Sequence, residues 1–286
     1  MRMATKTDPA QKHEVDVEDL EYGRVGDTPL LARLYRPRGV TNFPSIVDVH
    51  GGAWVTNDRL QNAAMDQVIA AAGTAVLALD FRMAPASPYP ASIADINLGI
   101  RWLKANAARL GGDPRRVGGL GTSSGGHQLW LNVLRPREAR YTALKLAGAD
   151  DVDASLGFVV VCWPISDPVT RYKMARETGN ERLVRNHDAY FLTEAAMAEA
   201  NPQAILESGE GRNLPPALLI QGTADANVTP DMADRFVSAY TRSGGRITLR
   251  KFEGQPHTFI SQNPTSPASV EALGLITDFI REQTRA

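Results

Sequence analysis

The chain has 286 residues, of which 43% are hydrophobic and 22% are charged. This composition is typical of a globular protein and excludes a disordered or collagen-like chain. Lys and Arg number 31 against 32 Asp and Glu, so the net charge of −1 carries no electrostatic signature for nucleic acid or an anionic membrane. Cys162 is the only cysteine in the sequence, which excludes an intrachain disulfide and a zinc site built from several cysteines.

Neither a membrane span nor a secretory leader is predicted. The apolar runs are all shorter than ten residues, which is too short to cross a bilayer. The first residues, MRMATKTDPAQKHEVD, lack an apolar core and a small-residue cleavage site. We therefore expect a cytoplasmic protein, with no membrane and no nucleic acid among its partners.

The chain opens with two strand-like stretches and then changes character. Apolar and polar residues alternate over 13–25 and 29–37, and Gly26-Asp27 between them predicts a hairpin turn. Short apolar runs then alternate with amphipathic helical stretches. Strands are predicted at 45–50, 74–81, 116–122, 156–163, 217–222 and 246–252, and helices at 60–72, 92–110, 124–134, 230–243 and 267–284. This alternation predicts an α/β fold with right-handed crossovers, in which a mostly parallel central sheet carries helices on both faces.

One segment interrupts the alternation. Residues 164–212 lie between two predicted strands and are too many for a single crossover. They contain Pro, Asn, charged residues and several aromatic residues, so we interpret them as a small helical cap inserted over the sheet, within a single domain of residues 1–286. The charged stretch 171–177 is expected to be solvated.

The strongest chemical signal is Gly121-Thr122-Ser123-Ser124-Gly125, a G-x-S-x-G motif between a predicted strand and a predicted helix. A strand-turn-helix elbow needs small flanking residues, because the serine occupies a strained turn that neighbouring backbones crowd. Ser123 is then the nucleophile, and the backbone N–H of Ser124 faces a developing oxyanion.

A dinucleotide-binding turn is the alternative, but the third glycine of that fingerprint is missing. No P-loop lysine and no HExxH motif is present, so we predict no cofactor and no metal.

A serine nucleophile needs a base, and the base needs an orienting acid. His257 lies in a loop after the predicted strand 246–252, and we favour it as the base over the four other histidines. Asp225 follows the predicted strand 217–222 and is favoured as the acid, because ligands bind at the carboxyl ends of parallel strands. Asp231 is the competing acid, although it reads as part of a helix first turn. The resulting chain order, Ser123, Asp225, His257, is the order of the α/β-hydrolases.

A second glycine-rich loop, HGGAW at 50–54, directly follows the predicted strand 45–50. Such a loop supplies backbone donors for the carbonyl oxygen of an ester, although a plain tight turn would have the same composition. His50 itself is interpreted as a residue that orders the loop. Trp54 of this loop and Trp163, at a strand end facing the cap, are candidate substrate contacts.

Together with the stretch DFRMAP at 80–85, these motifs resemble the hormone-sensitive-lipase-like carboxylesterases of the α/β-hydrolase superfamily. The resemblance covers the chain from about residue 20. It implies that the N–H groups of Gly52 and Ala53 join that of Ser124 in an oxyanion hole. The elbow GTSSGG and the acid motif G-x-x-D depart from the usual patterns of the group and are closer to acetyl-xylan or feruloyl esterases and arylformamidases.

We therefore predict a serine carboxylesterase that acts on small soluble esters. An arylformamidase or other amidase would use the same residues and is the main alternative. A peptidase on this fold and a non-catalytic ligand receptor are further alternatives, the last disfavoured because all three triad residues are present. A homodimer is left open.

Overall fold

The computed structural model describes residues 12–285, and residues 1–11 of the stretch inspected for a leader lie outside this range. Eight strands form one sheet in the order β1-β2-β4-β3-β5-β6-β7-β8. The strands are β1 (Val15–Val25), β2 (Thr28–Pro37), β3 (Phe43–Val49), β4 (Ala75–Leu79), β5 (Gly112–Thr122), β6 (Val159–Cys162), β7 (Ala217–Gly222) and β8 (Ile247–Phe252). β2 runs antiparallel to β1 and β4, whereas the pairs from β4 to β8 are parallel. The prediction of a mostly parallel sheet is confirmed.

The helices lie on both faces of this sheet, as predicted. They are α1 (Ala63–Ala71), α2 (Ala91–Leu110), α3 (Ser124–Leu134), α4 (Pro168–Glu177), α5 (Glu181–Phe191), α6 (Glu194–Glu199), α7 (Pro202–Glu207), α8 (Pro230–Arg242), α9 (Phe259–Gln262) and α10 (Pro267–Gln283). No helix among the described residues is long and apolar enough to cross a membrane.

Alternation along the buried strands divides the core between the two faces. In β4, Leu77 and Leu79 pack with the apolar residues of α2, α3 and α8, whereas Val76 and Ala78 pack with those of α1 and α10. All five residues of β4 are buried, as expected for a strand covered on both sides. β8, which forms one edge of the sheet, alternates between exposed and less exposed positions instead.

Helices α4 to α7 fill the chain between β6 and β7, where the sequence predicted the cap. Each begins at a polar residue whose side chain accepts a hydrogen bond from a backbone N–H of the first turn, namely Asp167, Asn180, Thr193 and Asn201. Such caps satisfy donors that a helix leaves without partners, and they explain how four short helices form in sequence.

The parallel strands bring distant loops together. The carboxyl ends of β3, β5, β7 and β8 lie at the same edge of the sheet, because these strands all run in the same direction. The loops that follow them contain the HGGAW stretch, the elbow serine and the favoured acid and base.

Candidate active site

The turn between β5 and α3 holds Ser123 in a strained backbone conformation. Its φ is 52° and its ψ is −118°, a region that residues with a side chain rarely occupy. The glycines around it allow the close approach that the turn requires. A Cβ atom at Gly125 would lie 2.0 Å from the carbonyl oxygen of Val49, and one at Gly121 would lie 2.9 Å from Cα of Gly126. The sharp turn thus points the serine side chain out of the end of the sheet.

Three side chains that the sequence singled out form one chain of hydrogen bonds. Ser123 Oγ lies 3.0 Å from Nε2 of His257. Nδ1 of the same imidazole lies 2.7 Å from Oδ2 of Asp225. The two ring nitrogens therefore face the serine and the carboxylate respectively, and both distances are those of good hydrogen bonds. This is the arrangement in which an imidazole can take a proton from a serine while a carboxylate fixes its orientation.

The loop after β7 holds Asp225 through both oxygens. Oδ1 accepts hydrogen bonds from the backbone N–H groups of Asn227 and Val228, each at 2.8 Å, and Oδ2 accepts one from Gln221 Nε2 at 3.1 Å. The residue is buried, so its position does not depend on contacts with solvent. Asp231, the competing acid, lies exposed in the first turn of α8 and pairs with an arginine of that helix.

Two other buried histidines have structural contacts of their own. His127 accepts a hydrogen bond from the indole N–H of Trp54 at 3.1 Å and lies 2.8 Å from the carbonyl oxygen of Ala200 through Nε2. His187 lies 2.7 Å from the carbonyl oxygen of Leu183 through Nδ1. Burial lowers the pKa of His127 to about 4 and that of His187 to about 3, so both rings are neutral near pH 7.

His50 is also buried, stacks on Phe81 and lies 2.7 Å from the carbonyl oxygen of Gly51 through Nδ1. These contacts agree with its interpretation as a residue that orders the loop. His13 lies near the start of the described chain and next to Gly73, away from the elbow.

The HGGAW loop has three consecutive residues with positive φ: 122° at Gly52, 50° at Ala53 and 66° at Trp54. A Cβ atom at Gly52 would lie 2.0 Å from the carbonyl oxygen of Thr56, so only glycine fits there. The N–H of Trp54 donates to Ser124 Oγ at 3.3 Å, which joins the loop to the elbow. Among the hydrogen bonds of residues 12–285, none uses the N–H groups of Gly52, Ala53 or Ser124, so these donors are available to a bound group.

The two candidate tryptophans are both enclosed by protein. Trp54 is 1% exposed and stacks on Tyr190 of α5, with ring centroids 5.1 Å apart. Trp163 is 0% exposed and contacts Phe259 and His257 edge to face, with centroid distances of 5.3 and 6.1 Å. Trp54 therefore joins the loop to α5, and Trp163 packs against the candidate base. Substrate contact by either ring stays a prediction.

Sequence reasoning missed that one arginine of the charged stretch 171–177 is buried. Arg171 is 1% exposed, which corrects the expectation that this stretch is solvated throughout. Pro168, Arg171 and Ala175 are the buried residues of α4 and follow one another at helical spacing. This spacing indicates a buried face of a helix, whereas the charge of an arginine side chain indicates exposure, and the two signals conflict at Arg171.

A buried pair of carboxyl groups behind the elbow was also missed. Both oxygens of Asp48, in β3, accept hydrogen bonds from Asn62 Nδ2, at 3.0 and 3.1 Å, and the same amide also donates to Thr122 Oγ1 at 3.3 Å. Asp66 of α1 and the hydroxyl of Tyr35 are buried without a hydrogen-bond partner among the described residues. Burial raises the pKa of both carboxyl groups, and Asp48 adds to the effect at Asp66.

Comparisons with known proteins agree with this architecture. The BD-FAE family pattern matches residues 33–240, well over half of the chain. Carboxylesterase NlhH of Mycobacterium tuberculosis is 27% identical over 280 residues, covering 94% of this chain and 83% of that protein. The chain also resembles solved structures of esterase B from Lactobacillus rhamnosis and of an esterase from Pyrobaculum calidifontis.

For esterase B the TM-score is 0.79 at 21% identity, covering 96% of this chain and 90% of that one. For the Pyrobaculum esterase it is 0.78 at 23% identity, covering 96% and 87%. At these identities the likeness shows the fold, and it confirms the α/β-hydrolase architecture that the sequence predicted. With the match over residues 33–240, the chain belongs to the BD-FAE family.

Proposed function

We propose that this protein is a serine carboxylesterase, which hydrolyses small carboxylic esters through a covalent acyl-enzyme. The observation that carries the proposal is the hydrogen-bonded chain from Asp225 through His257 to Ser123, with contacts of 2.7 and 3.0 Å. The carboxylesterase and esterase names of its relatives support the same reaction.

In the proposed mechanism Ser123 attacks the acyl carbon while His257 takes the proton from its hydroxyl through Nε2. Asp225 holds the imidazole in the orientation that presents this nitrogen. The imidazolium then gives its proton to the leaving alcohol, which departs and leaves an acyl-serine. Water, activated by the same imidazole, hydrolyses the acyl-serine and restores the free enzyme.

The negative charge that develops on the carbonyl oxygen needs donors that are already in place. We assign this role to the N–H groups of Gly52, Ala53 and Ser124. Each such donor typically contributes roughly 3 kcal/mol to transition-state stabilisation. The hydrogen bond from Trp54 N–H to Ser124 Oγ supports the assignment, because it joins the two segments that supply the donors.

Helices α4 to α7 would serve as the cap predicted for 164–212, within a single domain. Trp54 and Trp163 would shape the pocket from behind rather than as exposed walls, in keeping with their burial.

We further propose a cytoplasmic location and the absence of a nucleic-acid or membrane partner. Light scattering on the purified protein would measure whether it forms the homodimer that the sequence leaves open.

Covalent labelling by a fluorophosphonate tests the proposal. The wild type should be labelled at Ser123 and should hydrolyse p-nitrophenyl acetate, and Ser123→Ala should lose both. Ser238→Ala, which changes an exposed serine of α8, should behave as the wild type. Labelling that persists in Ser123→Ala would overturn the proposed nucleophile. Faster turnover of N-formylkynurenine than of any simple ester would favour an arylformamidase instead.

A further inference from the structure

Arg171 lies between the two loops that frame the candidate active site. Its Nε donates to the backbone oxygen of Asn227 at 3.1 Å, and its Nη2 donates to the side-chain oxygen of the same residue. Its guanidinium carbon lies 5.9 Å from the ring centroid of Trp54. Asn227 is two residues after Asp225, and Trp54 directly follows Ala53. The guanidinium of α4 therefore contacts both the loop of the candidate acid and the loop of the proposed oxyanion donors.

This buried cation has no carboxylate partner. None of the ion pairs among residues 12–285 involves Arg171, and its Nη1 is buried without a hydrogen-bond partner in that range. It is the only arginine of the described chain with such a nitrogen. The negative charge of Asp225 acts on Arg171 and raises its pKa. The oxygens of Asp225, however, already accept hydrogen bonds from His257 and from the residues of its own loop.

The positive charge persists in spite of burial. Burial lowers the pKa of Arg171 to about 9, with the charge of Asp225 opposing the shift, so the group is still a cation near pH 7. His187 is a neutral neighbour, and its Nε2 is likewise buried without a partner in the described chain. An unpaired buried charge is costly, and an anion that reaches it would remove that cost.

We propose that Arg171 recognises a carboxylate carried by the substrate, so that the preferred substrates are small esters bearing a free carboxylate. The inference rests on the proposed esterase function. A guanidinium suits this role, because its fixed N–H groups match the two oxygens of a carboxylate. The contacts with Asn227 hold Nε and Nη2 in place and leave the buried Nη1 without a hydrogen-bond partner among the described residues.

Two ester pairs test the proposal, one with the carboxylate on the acyl side and one with it on the alcohol side. The first compares mono(p-nitrophenyl) adipate with p-nitrophenyl hexanoate, whose acyl chains have the same number of carbons. The second compares p-acetoxybenzoate with its methyl ester. For the wild type, kcat/KM should favour the charged member of at least one pair by about 10-fold or more, in keeping with the strength of a charge-assisted hydrogen bond.

Arg171→Met should abolish this preference, because its kcat/KM should fall by about 10-fold more for the charged ester than for the neutral ester of the same pair. Arg171→Lys, which keeps the charge, should retain part of it. Arg176→Met, at an exposed arginine of the same helix, is the matched control and should keep the wild-type ratio. A wild type that favours the charged ester in neither pair would overturn the proposal, as would an equal loss for both members in Arg171→Met.

Product inhibition of the wild type gives a second measurement that needs no variant. Adipate should inhibit hydrolysis of p-nitrophenyl hexanoate more strongly than hexanoate does if the carboxylate is recognised on the acyl side, and p-hydroxybenzoate more strongly than its methyl ester if on the alcohol side. Recognition by Arg171 would be contradicted if adipate inhibited no more strongly than hexanoate and p-hydroxybenzoate no more strongly than its methyl ester. Failure of the esterase function itself would look different, because neither neutral ester would then be hydrolysed in a Ser123-dependent manner.

Discussion

The indole N–H of Trp54 donates a hydrogen bond to Nδ1 of His127 at 3.1 Å, and thereby joins the HGGAW loop to the helix that follows the elbow. His127 continues the connection through Nε2 to the carbonyl oxygen of Ala200, which lies between α6 and α7. A single buried imidazole therefore joins the loop of the proposed oxyanion donors, α3 and the segment between α6 and α7. A substitution at Trp54 or near Ala200 should therefore shift the proposed oxyanion donors.

Trp54→Phe tests this connection. The substitution removes the indole donor and leaves His127 Nδ1 buried without a partner, so we expect the free energy of unfolding to fall by about 1–3 kcal/mol. Because the loop would be held less firmly, kcat should also fall. Urea unfolding gives the first quantity and steady-state kinetics the second. Trp102→Phe, at a half-buried tryptophan of α2, is the control, and equal losses for the two variants would contradict the argument.

Asp225→Asn should inactivate the protein without unfolding it. An asparagine oxygen can still accept from the N–H groups of Asn227 and Val228, so the loop should persist. Its amide, however, would oppose the Nδ1–H of His257 and favour the wrong tautomer, and kcat should fall by about 10³- to 10⁴-fold. Asp231→Asn should retain activity. Loss of activity in Asp231→Asn with retention in Asp225→Asn would reverse the assignment of the acid.

Asp66 should make the protein less stable as the pH rises. Burial and the neighbouring Asp48 raise its pKa above the unfolded value near 3.9, so the folded state favours the protonated acid. The stability that this group contributes is complete below its unfolded pKa and is lost as the pH rises through its folded pKa.

Asp66→Asn carries no titratable proton at this position. Its free energy of unfolding should therefore rise relative to that of the wild type as the pH increases from 5 to 8. Urea midpoints measured across this range check the prediction. Asp278→Asn, at an exposed aspartate of α10, is the control. A difference between Asp66→Asn and the wild type that stays constant with pH would show that Asp66 is not buried as a neutral acid.

Two glycine substitutions should act in opposite directions. A Cβ at Gly125 would lie 2.0 Å from the backbone of β3, which cannot move without disturbing the sheet, so Gly125→Ala should cost more than about 3 kcal/mol of stability. At Gly274, in α10, a Cβ meets no atom within 4 Å, and Gly274→Ala should add about 0.4–1 kcal/mol by restricting the unfolded chain. Thermal unfolding measures both, and similar midpoints would refute the packing argument.

The predictable parts of this fold are those governed by local patterns. The apolar spacing of α2, the small residues around Ser123 and the apolar run of β7 lie in contiguous sequence, and each element forms within a few residues of its predicted bounds. The four-residue helix α9 was missed, because it is too short to show a helical period. The six-residue helices α6 and α7 could not be located for the same reason.

The sequence predicts those site residues that directly follow a strand. It does not predict those whose burial depends on contacts with distant parts of the chain. Asp225 and His257 follow consecutive parallel strands, so their convergence is a consequence of topology. The burial of Arg171 depends instead on Asn227, 56 positions further along the chain, and that of Trp54 on Tyr190. Neither contact has a signature in the sequence around these residues.

The contact between Ser123 and His257 joins residues 134 positions apart, and His257 is carried by the loop after β8, the last strand at its edge of the sheet. A refolding chain can therefore form the elbow and the central strands and still lack the imidazole next to the serine. Contacts between such distant residues form slowly, because loop closure comes before the contact stabilises anything. The rate at which hydrolysis recovers during refolding would thus report when β8 docks on the sheet. Circular dichroism would follow the earlier formation of the helices.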